Sequence, residues 1–119
     1  MGATPIFIAT PKSYGARINA STAAATIVTG ATNGTRVEEL FIYNDHTASV
    51  VVNVIIGTGT DYTVRQISVG SKATINVLQE LFQYPDKQFL ILQSTHTLKY
   101  QTPTSTANNV DAYAAGGDY

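Results

Sequence analysis

The segment that most constrains the fold is residues 37–57, VEELFIYNDHTASVVVNVIIG, in which two apolar, β-branched runs flank a short polar connection. Side chains alternate between the two faces of a strand, so the first run places Leu40 and Ile42 on one face. Phe41 and Tyr43 then fall on the other face, and the second run is apolar on both faces as well. Such strands cannot leave a face in water, so we expect them to be covered twice, by a second sheet and by a neighbouring subunit or a folded-over arm.

The rest of the chain adds short strands separated by turn residues, and no segment has the periodicity of a long helix. The polar connection at residues 44–48 predicts a hairpin or a tight corner, and Leu81 and Phe82 are expected to plug one end of the fold. About eight or nine strands in all indicate an all-β fold, an antiparallel β-sandwich that is Ig-like or jelly-roll-like. Besides the two central runs, the predicted strands are residues 16–19, 26–29, 62–69, 72–78, 88–93, 97–102 and 110–114.

The N-terminus has the character of an extended arm. Pro5 and Pro11 bracket the apolar tripeptide Ile6-Phe7-Ile8, and such a segment is extended but cannot lie in the middle of a sheet. Two interpretations remain open: an edge strand that closes its own domain, or an arm that adds a strand to a neighbour's exposed edge. We therefore divide the chain into an extended arm, residues 1–16, and a single β-sandwich domain, residues 17–119.

Composition excludes several classes of function. The net charge of −1 lacks the basic footprint of a nucleic-acid-binding protein, and no apolar run is long enough to span a membrane. Charged residues make up 13% of the 119 residues, about half of the ~25% usual for soluble domains. A surface of Thr, Ser, Asn, Gln and Ala is easily desolvated, which suits burial in an assembly. The alternative is an ordinary β-domain with an uncharged polar coat.

The sequence contains no recognisable catalytic or cofactor site. It has no Cys, and His46 and His96 stand in separate turns without the spacing of metal ligands. The carboxylates form no distinctive pair, no Gly-x-Ser-x-Gly elbow frames a nucleophile, and no small-molecule substrate is indicated. We therefore predict a protein that is not an enzyme and binds no cofactor or metal. A carbohydrate-binding module stays as an alternative, with Tyr62 or Tyr84 as the exposed aromatic platform.

Several segments of the chain resemble one known class of proteins. Residues 22–29 (TAAATIVT), 33–44 (NGTRVEELFIYN), 50–57 and the closing 110–119 (VDAYAAGGDY) are similar to the small β-sandwich structural proteins of tailed bacteriophages. The chain departs from that pattern at residues 78–86, where Gln-Tyr-Pro-Asp replaces a Gly-Asp turn. The resemblance implies a non-enzymatic virion component, either a capsid decoration (cement) protein or part of the neck or tail.

The resemblance also implies the partners of this chain. These are the major capsid protein or other virion proteins, and further copies of the chain itself, with no nucleic acid or membrane. The protein is then made in the host cytoplasm and resides in the virion, on the capsid surface rather than in the tail. The interface is predicted to use large apolar or aromatic side chains of the arm, of the connection at residues 79–84 and of the C-terminus, namely Ile6, Phe7, Ile8, Tyr14, Phe82, Tyr84 and Tyr119.

Overall fold

The computed structural model describes residues 10–82 and 89–119. These residues form nine β-strands and one short helix in two antiparallel sheets, which confirms the predicted all-β sandwich. In chain order the elements are β1 (Thr10–Ile18), β2 (Ala25–Thr29), β3 (Thr35–Asn44), β4 (Val50–Gly57), β5 (Asp61–Val69), β6 (Thr74–Asn76), α1 (Val77–Phe82), β7 (Leu90–Leu92), β8 (Thr97–Gln101) and β9 (Val110–Asp118).

The strand order identifies the sandwich as a jelly roll. Sheet one runs β1-β9-β3-β6 and sheet two runs β2-β8-β4-β5. β6 and β7 share one position beside β3, because β7 pairs with residues 35–37 and β6 with residues 41–43. The pairs β1·β9, β2·β8, β3·β6/β7 and β4·β5 make one long hairpin, which is rolled so that β9 meets β3 and β8 meets β4. Of the two predicted alternatives, this pairing is that of a jelly roll and not of an Ig fold.

The core lies between the sheets and follows the predicted alternation. Leu40 and Ile42 of β3 are fully buried, and Val52 and Val54 of β4 face them from the other sheet. The opposite face of β3 is covered only in part, since Phe41 is half-buried. The central segment is therefore the meeting point of the two layers.

The connection between β3 and β4 is a corner between the two sheets and not a hairpin. Asn44 is completely buried there, and its Nδ2 lies 2.9 Å from the Ala48 carbonyl oxygen and 3.2 Å from that of Val69. Its Oδ1 accepts a hydrogen bond from the His46 backbone N–H at 2.9 Å. A single amide side chain thus fixes the turn and ties it to the end of β5.

The boundary expected between arm and sandwich falls inside β1. Residues 10–18 pair along their whole length with β9, so residues 10–16 form part of an edge strand of sheet one. Pro11 is tolerated there because one side of an edge strand needs no backbone donor. Residues 1–9, which include Ile6, Phe7 and Ile8, lie outside the described residues, as do residues 83–88.

The strands predicted over residues 72–78 and 110–114 end at other residues in the structure. The strand predicted over residues 72–78 stops at Asn76, whose Oδ1 accepts from the Gln79 backbone N–H at 3.2 Å and so begins α1. Val77 and Leu78 remain buried although the backbone has turned, and Leu81 packs against the core as expected of a plug. The last strand continues to Asp118, because its small residues fit between β1 and β3.

Candidate functional site

The outer face of sheet one carries an aromatic cluster in which Tyr113 is exposed and Phe41 and Tyr43 are half-buried. Ala112 and Ala114 of β9 point into the core, so Tyr113 between them points outward and is 46% exposed. Tyr113 lies directly opposite Phe41 of β3, and Tyr43 of the next outward row is half-buried. We call Phe41, Tyr43 and Tyr113 the aromatic face.

On the side of β1, the residues next to the aromatic face have small side chains or none. Tyr113 lies opposite Gly15 of β1, and its Oη is 3.5 Å from the Ser13 Oγ. A groove of about 390 Å³ follows, with Ala115 and Glu39 among its lining residues. The surface next to the rings is therefore open, which leaves room for a partner to approach them.

Near the start of β3, the same outer face carries two further exposed apolar side chains, Phe89 and Ile91. The Arg36 guanidinium lies 4.1 Å from the centre of the Phe89 ring, in a cation–π contact, and its Nε is 3.1 Å from Glu38 Oε1. Ile91 stands opposite Arg36 in register and is 49% exposed. Apolar surface thus continues from the aromatic face to the β7 edge of sheet one.

The outer face of sheet two has a different character, because amide side chains cross it. Gln66 Nε2 donates to Asn53 Oδ1 at 2.9 Å, and Asn53 Nδ2 reaches Gln101 Oε1 at 3.4 Å. Gln101 Nε2 then donates to the Thr22 carbonyl oxygen at 2.8 Å. Hydrogen bonds link the members of this polar ladder, and none of them carries a charge.

Nearly all charges of the described residues are paired within the chain. Of the fifteen charged side chains in the sequence (seven Lys and Arg, eight Asp and Glu), Asp86 and Lys87 lie outside the described ranges. Twelve of the other thirteen form ion pairs, and among these thirteen only Glu39 forms none. The pairs are Lys12–Asp118, Arg17–Asp111, Arg36–Glu38, Arg65–Glu80, Lys72–Asp45 and Lys99–Asp61.

Asp118 is the most enclosed carboxylate of these pairs, with 15% of its side chain exposed. It binds the Lys12 ammonium and accepts a 2.8 Å hydrogen bond from the Thr35 hydroxyl, which itself accepts from the Ala31 N–H at 2.9 Å. The hydrogen bond from Lys12, followed by that from Thr35, lowers the pKa of Asp118. Burial, followed by the negative charge of Asp118, raises the pKa of the Tyr14 hydroxyl.

Three of the interface residues predicted from sequence, Tyr14, Phe82 and Tyr119, lie within the described residues. Tyr14 and Phe82 are half-buried and pack against the core, from opposite edges of sheet one. Tyr119 follows β9, where its N–H donates to the Gly34 carbonyl oxygen at 3.1 Å. Tyr84 lies outside the described residues, as does the tripeptide Ile6-Phe7-Ile8.

The described residues contain no constellation for metal binding. No group of three or more His, Cys, Asp or Glu side chains in residues 10–82 and 89–119 is arranged to hold a metal ion. His46 Nδ1 instead lies 3.2 Å from Asn108 Oδ1. Within the same ranges, no helix has the length and hydropathy needed to cross a membrane.

Comparison of the chain with protein-family models, with curated proteins and with solved structures finds no match. A jelly roll serves capsid proteins, lectins and cupins alike, so the fold does not define an activity. The features that bear on function are therefore the outer faces of the two sheets and the paired charges.

Proposed function

We propose that this protein is a non-enzymatic virion structural protein, a capsid decoration (cement) protein that binds the shell in many copies and stabilises it. The observation that carries the proposal is the pairing of twelve of the thirteen described charged side chains within the chain itself. Taking an unpaired charge out of water is costly, whereas charges that keep their partners and an uncharged polar surface are covered more readily. Such a surface suits repeated contact with a shell.

The aromatic face supplies the anchors that such a contact needs. Binding energy concentrates in a few large side chains that become fully buried, and Tyr is among the residues enriched at these positions. Tyr113 is 46% exposed beside Phe41, with the small side chain of Ala115 nearby. We expect a protruding loop or strand of the major capsid protein to cover this face.

Glu39 favours a positively charged group of the partner at this contact. It lines the groove beside the aromatic face and has no ion pair among the described residues. A Lys or Arg of the partner is the group that would form an ion pair with Glu39.

In the alternative, a position in the neck or tail, the protein would use the same contacts. Its copies would then be found at one vertex of the particle rather than over the whole shell.

The first experiment compares purified particles of the parent virus produced with and without this protein. Particles without it are expected to lose their genome at lower temperature and after milder osmotic shock. Equal resistance of both kinds of particle would contradict a cementing role. Electron cryomicroscopy of the complete particles distinguishes density over the whole shell from density confined to the neck or tail.

A second experiment tests the docking face by adding purified variants back to particles that lack the protein. Tyr113→Arg places a charge on the aromatic face and is expected to lower co-sedimentation at least tenfold. Val51→Arg is the matched control, because Val51 is 42% exposed on the outer face of sheet two. Wild-type binding by Tyr113→Arg would show that another surface meets the shell.

A carbohydrate- or receptor-binding module is the second candidate. The observation that favours it is Tyr62 of β5, whose side chain is 54% exposed and can offer its ring face to a sugar. A glycan array probed with the wild-type protein and with Tyr62→Ala tests this role. Specific binding that is lost in the variant would favour the module over a cement protein.

A further inference from the structure

A second groove lies at the end of the sandwich where β1 begins and β9 ends. Its volume is about 630 Å³, and it is lined by the β2–β3 connection, by β7 with the turn after it, and by the C-terminal residue. The 49%-exposed Ile91 gives it an apolar wall, while the Leu92 side chain is buried in the core behind it. The Tyr119 ring lies beside Gly34, which has no side chain to fill the space. The groove is suited to an apolar segment of extended chain.

The described chain begins close to this groove. Thr10 is paired with Asp118, Asp118 with Thr35, and Thr35 with Leu92, so these four residues form one row across sheet one. Three strand spacings separate the two ends of the row, or roughly 14 Å. The segment that precedes Thr10 therefore starts at a known distance from the groove.

The apolar tripeptide has the length to cover that distance. Ile8, Phe7 and Ile6 are two, three and four residues before Thr10. An extended chain advances at most about 3.3–3.6 Å per residue, so they reach roughly 7, 10 and 14 Å. Phe7 is thus within reach of the Tyr119 ring, and Ile6 of the part of the groove beside Leu92.

We propose that this groove binds the Ile6-Phe7-Ile8 segment of the same chain. Pro5 and Pro11 limit the conformations of the intervening chain, which reduces the entropy lost on docking. A short tether gives the segment a high effective concentration at its own groove, which favours the intramolecular contact over one between two molecules. The inference concerns the isolated protein and does not depend on the proposed function.

The chain has no Cys, so a designed pair of cysteines is the only source of a disulfide. The variant Ile6→Cys/Ile91→Cys is expected to form an intramolecular disulfide under mild oxidation, seen as a faster-migrating monomer on non-reducing gels. Ile6→Cys/Val51→Cys is the matched control, because Val51 has similar exposure (42%) on the other sheet. The control is expected to cross-link at least tenfold more slowly, and adding Phe7→Ala to the first pair should slow its cross-linking at least fivefold.

Cross-linking that yields dimers, or equal cross-linking rates in the two double-cysteine variants, would overturn the intramolecular contact.

A second measurement uses a variant in which no residue of the groove is changed. In the full-length variant Ile6→Ser/Phe7→Ser/Ile8→Ser, the backbone amides of residues 90–94 are expected to exchange with solvent at least fivefold faster than in the wild type. Unchanged exchange would show that the segment does not cover the groove.

Discussion

The hydroxyl of Tyr100 donates a 2.5 Å hydrogen bond to the carbonyl oxygen of Val110 and thereby joins the two sheets through the core. Tyr100 belongs to β8 of sheet two, whereas Val110 begins β9 of sheet one, and both side chains are completely buried. Burial raises the pKa of the Tyr100 hydroxyl well above its usual range, which favours the protonated form that donates this hydrogen bond. A polar contact therefore fixes the separation of the layers.

Tyr100→Phe is expected to lower the free energy of unfolding by about 1–3 kcal/mol, because it removes the hydroxyl partner of a buried carbonyl group. Urea denaturation followed by circular dichroism measures this change. Tyr43→Phe serves as the control, since the Tyr43 hydroxyl donates at 3.3 Å to Asp45, a carboxylate that water can also reach. An equally large loss of unfolding free energy in Tyr43→Phe would mean that the buried hydrogen bond between the sheets contributes no more than a partly exposed one.

The two layers of this fold could be predicted from the sequence because the alternation of apolar residues that defines them lies within single strands. Alternation within one strand is enough to assign Leu40 and Ile42 to the core, and the bounds of β4 match the predicted residues 50–57. The turn into α1 was missed because alternation continues through Val77. Asn76, followed by Gln79 three positions later, was the capping signal that could have revealed it.

The choice between jelly roll and Ig fold depends on pairings between distant strands, which no local pattern contains. The aromatic face was missed for the same reason, since Phe41 and Tyr113 meet only through the register of β3 and β9. Alternation around Ala112 and Ala114 does indicate that Tyr113 points outward. Only the pairing shows that Phe41 stands beside it.

The corner at Asn44 gives a second prediction. Asn44→Ala is expected to cost on the order of 3 kcal/mol, because the backbone groups that its amide serves lose their partner inside the protein. Asn44→Asp keeps the oxygen that accepts from His46 but removes the amide donor. It also brings a carboxylate beside the Val69 carbonyl oxygen, so it too should destabilise the protein, as measured by thermal unfolding.

The result that would contradict this assignment is a melting temperature of Asn44→Ala within about 2 °C of the wild type, which corresponds to well under 1 kcal/mol. Asn53→Ala is the matched control on the open amide ladder of sheet two. Its partner Gln66 is exposed to solvent, so a change of less than about 0.5 kcal/mol is expected.

Two glycines of sheet one should respond oppositely to the same substitution. A Cβ at Gly116 would overlap the backbone carbonyl of Arg36, which cannot move without disturbing the pairing of β3 with β9. Gly116→Ala is therefore expected to cost more than about 3 kcal/mol or to prevent folding. Soluble yield and urea denaturation measure the effect.

Gly15→Ala is the control in the neighbouring strand, because the nearest atom to its new Cβ is 3.9 Å away. It is expected to be neutral or to stabilise the protein by up to about 1 kcal/mol, through the reduced freedom of the unfolded chain. Equal tolerance of both substitutions would show that β9 can shift relative to β3.

Acid should weaken the end of the sandwich at which Asp118 lies. Its pKa is lowered in the folded protein, so the unfolded chain, with an ordinary Asp pKa near ~3.9, binds a proton more readily. The contribution of Asp118 to stability is thus present above about pH 4 and is lost as the pH falls through the folded-state pKa. In Asp118→Asn, the free energy of unfolding should therefore fall less between pH 6 and pH 3 than in the wild type.

Lys12→Gln separates the two causes of that lowered pKa, because it removes the ion pair but leaves the Thr35 hydroxyl as a donor to Asp118. Its pH dependence should lie between those of the wild type and Asp118→Asn. A profile identical to the wild type would leave the Thr35 hydrogen bond as the main cause. Identical profiles for all three proteins, measured by urea denaturation across the same pH range, would contradict a role of Asp118 in acid stability.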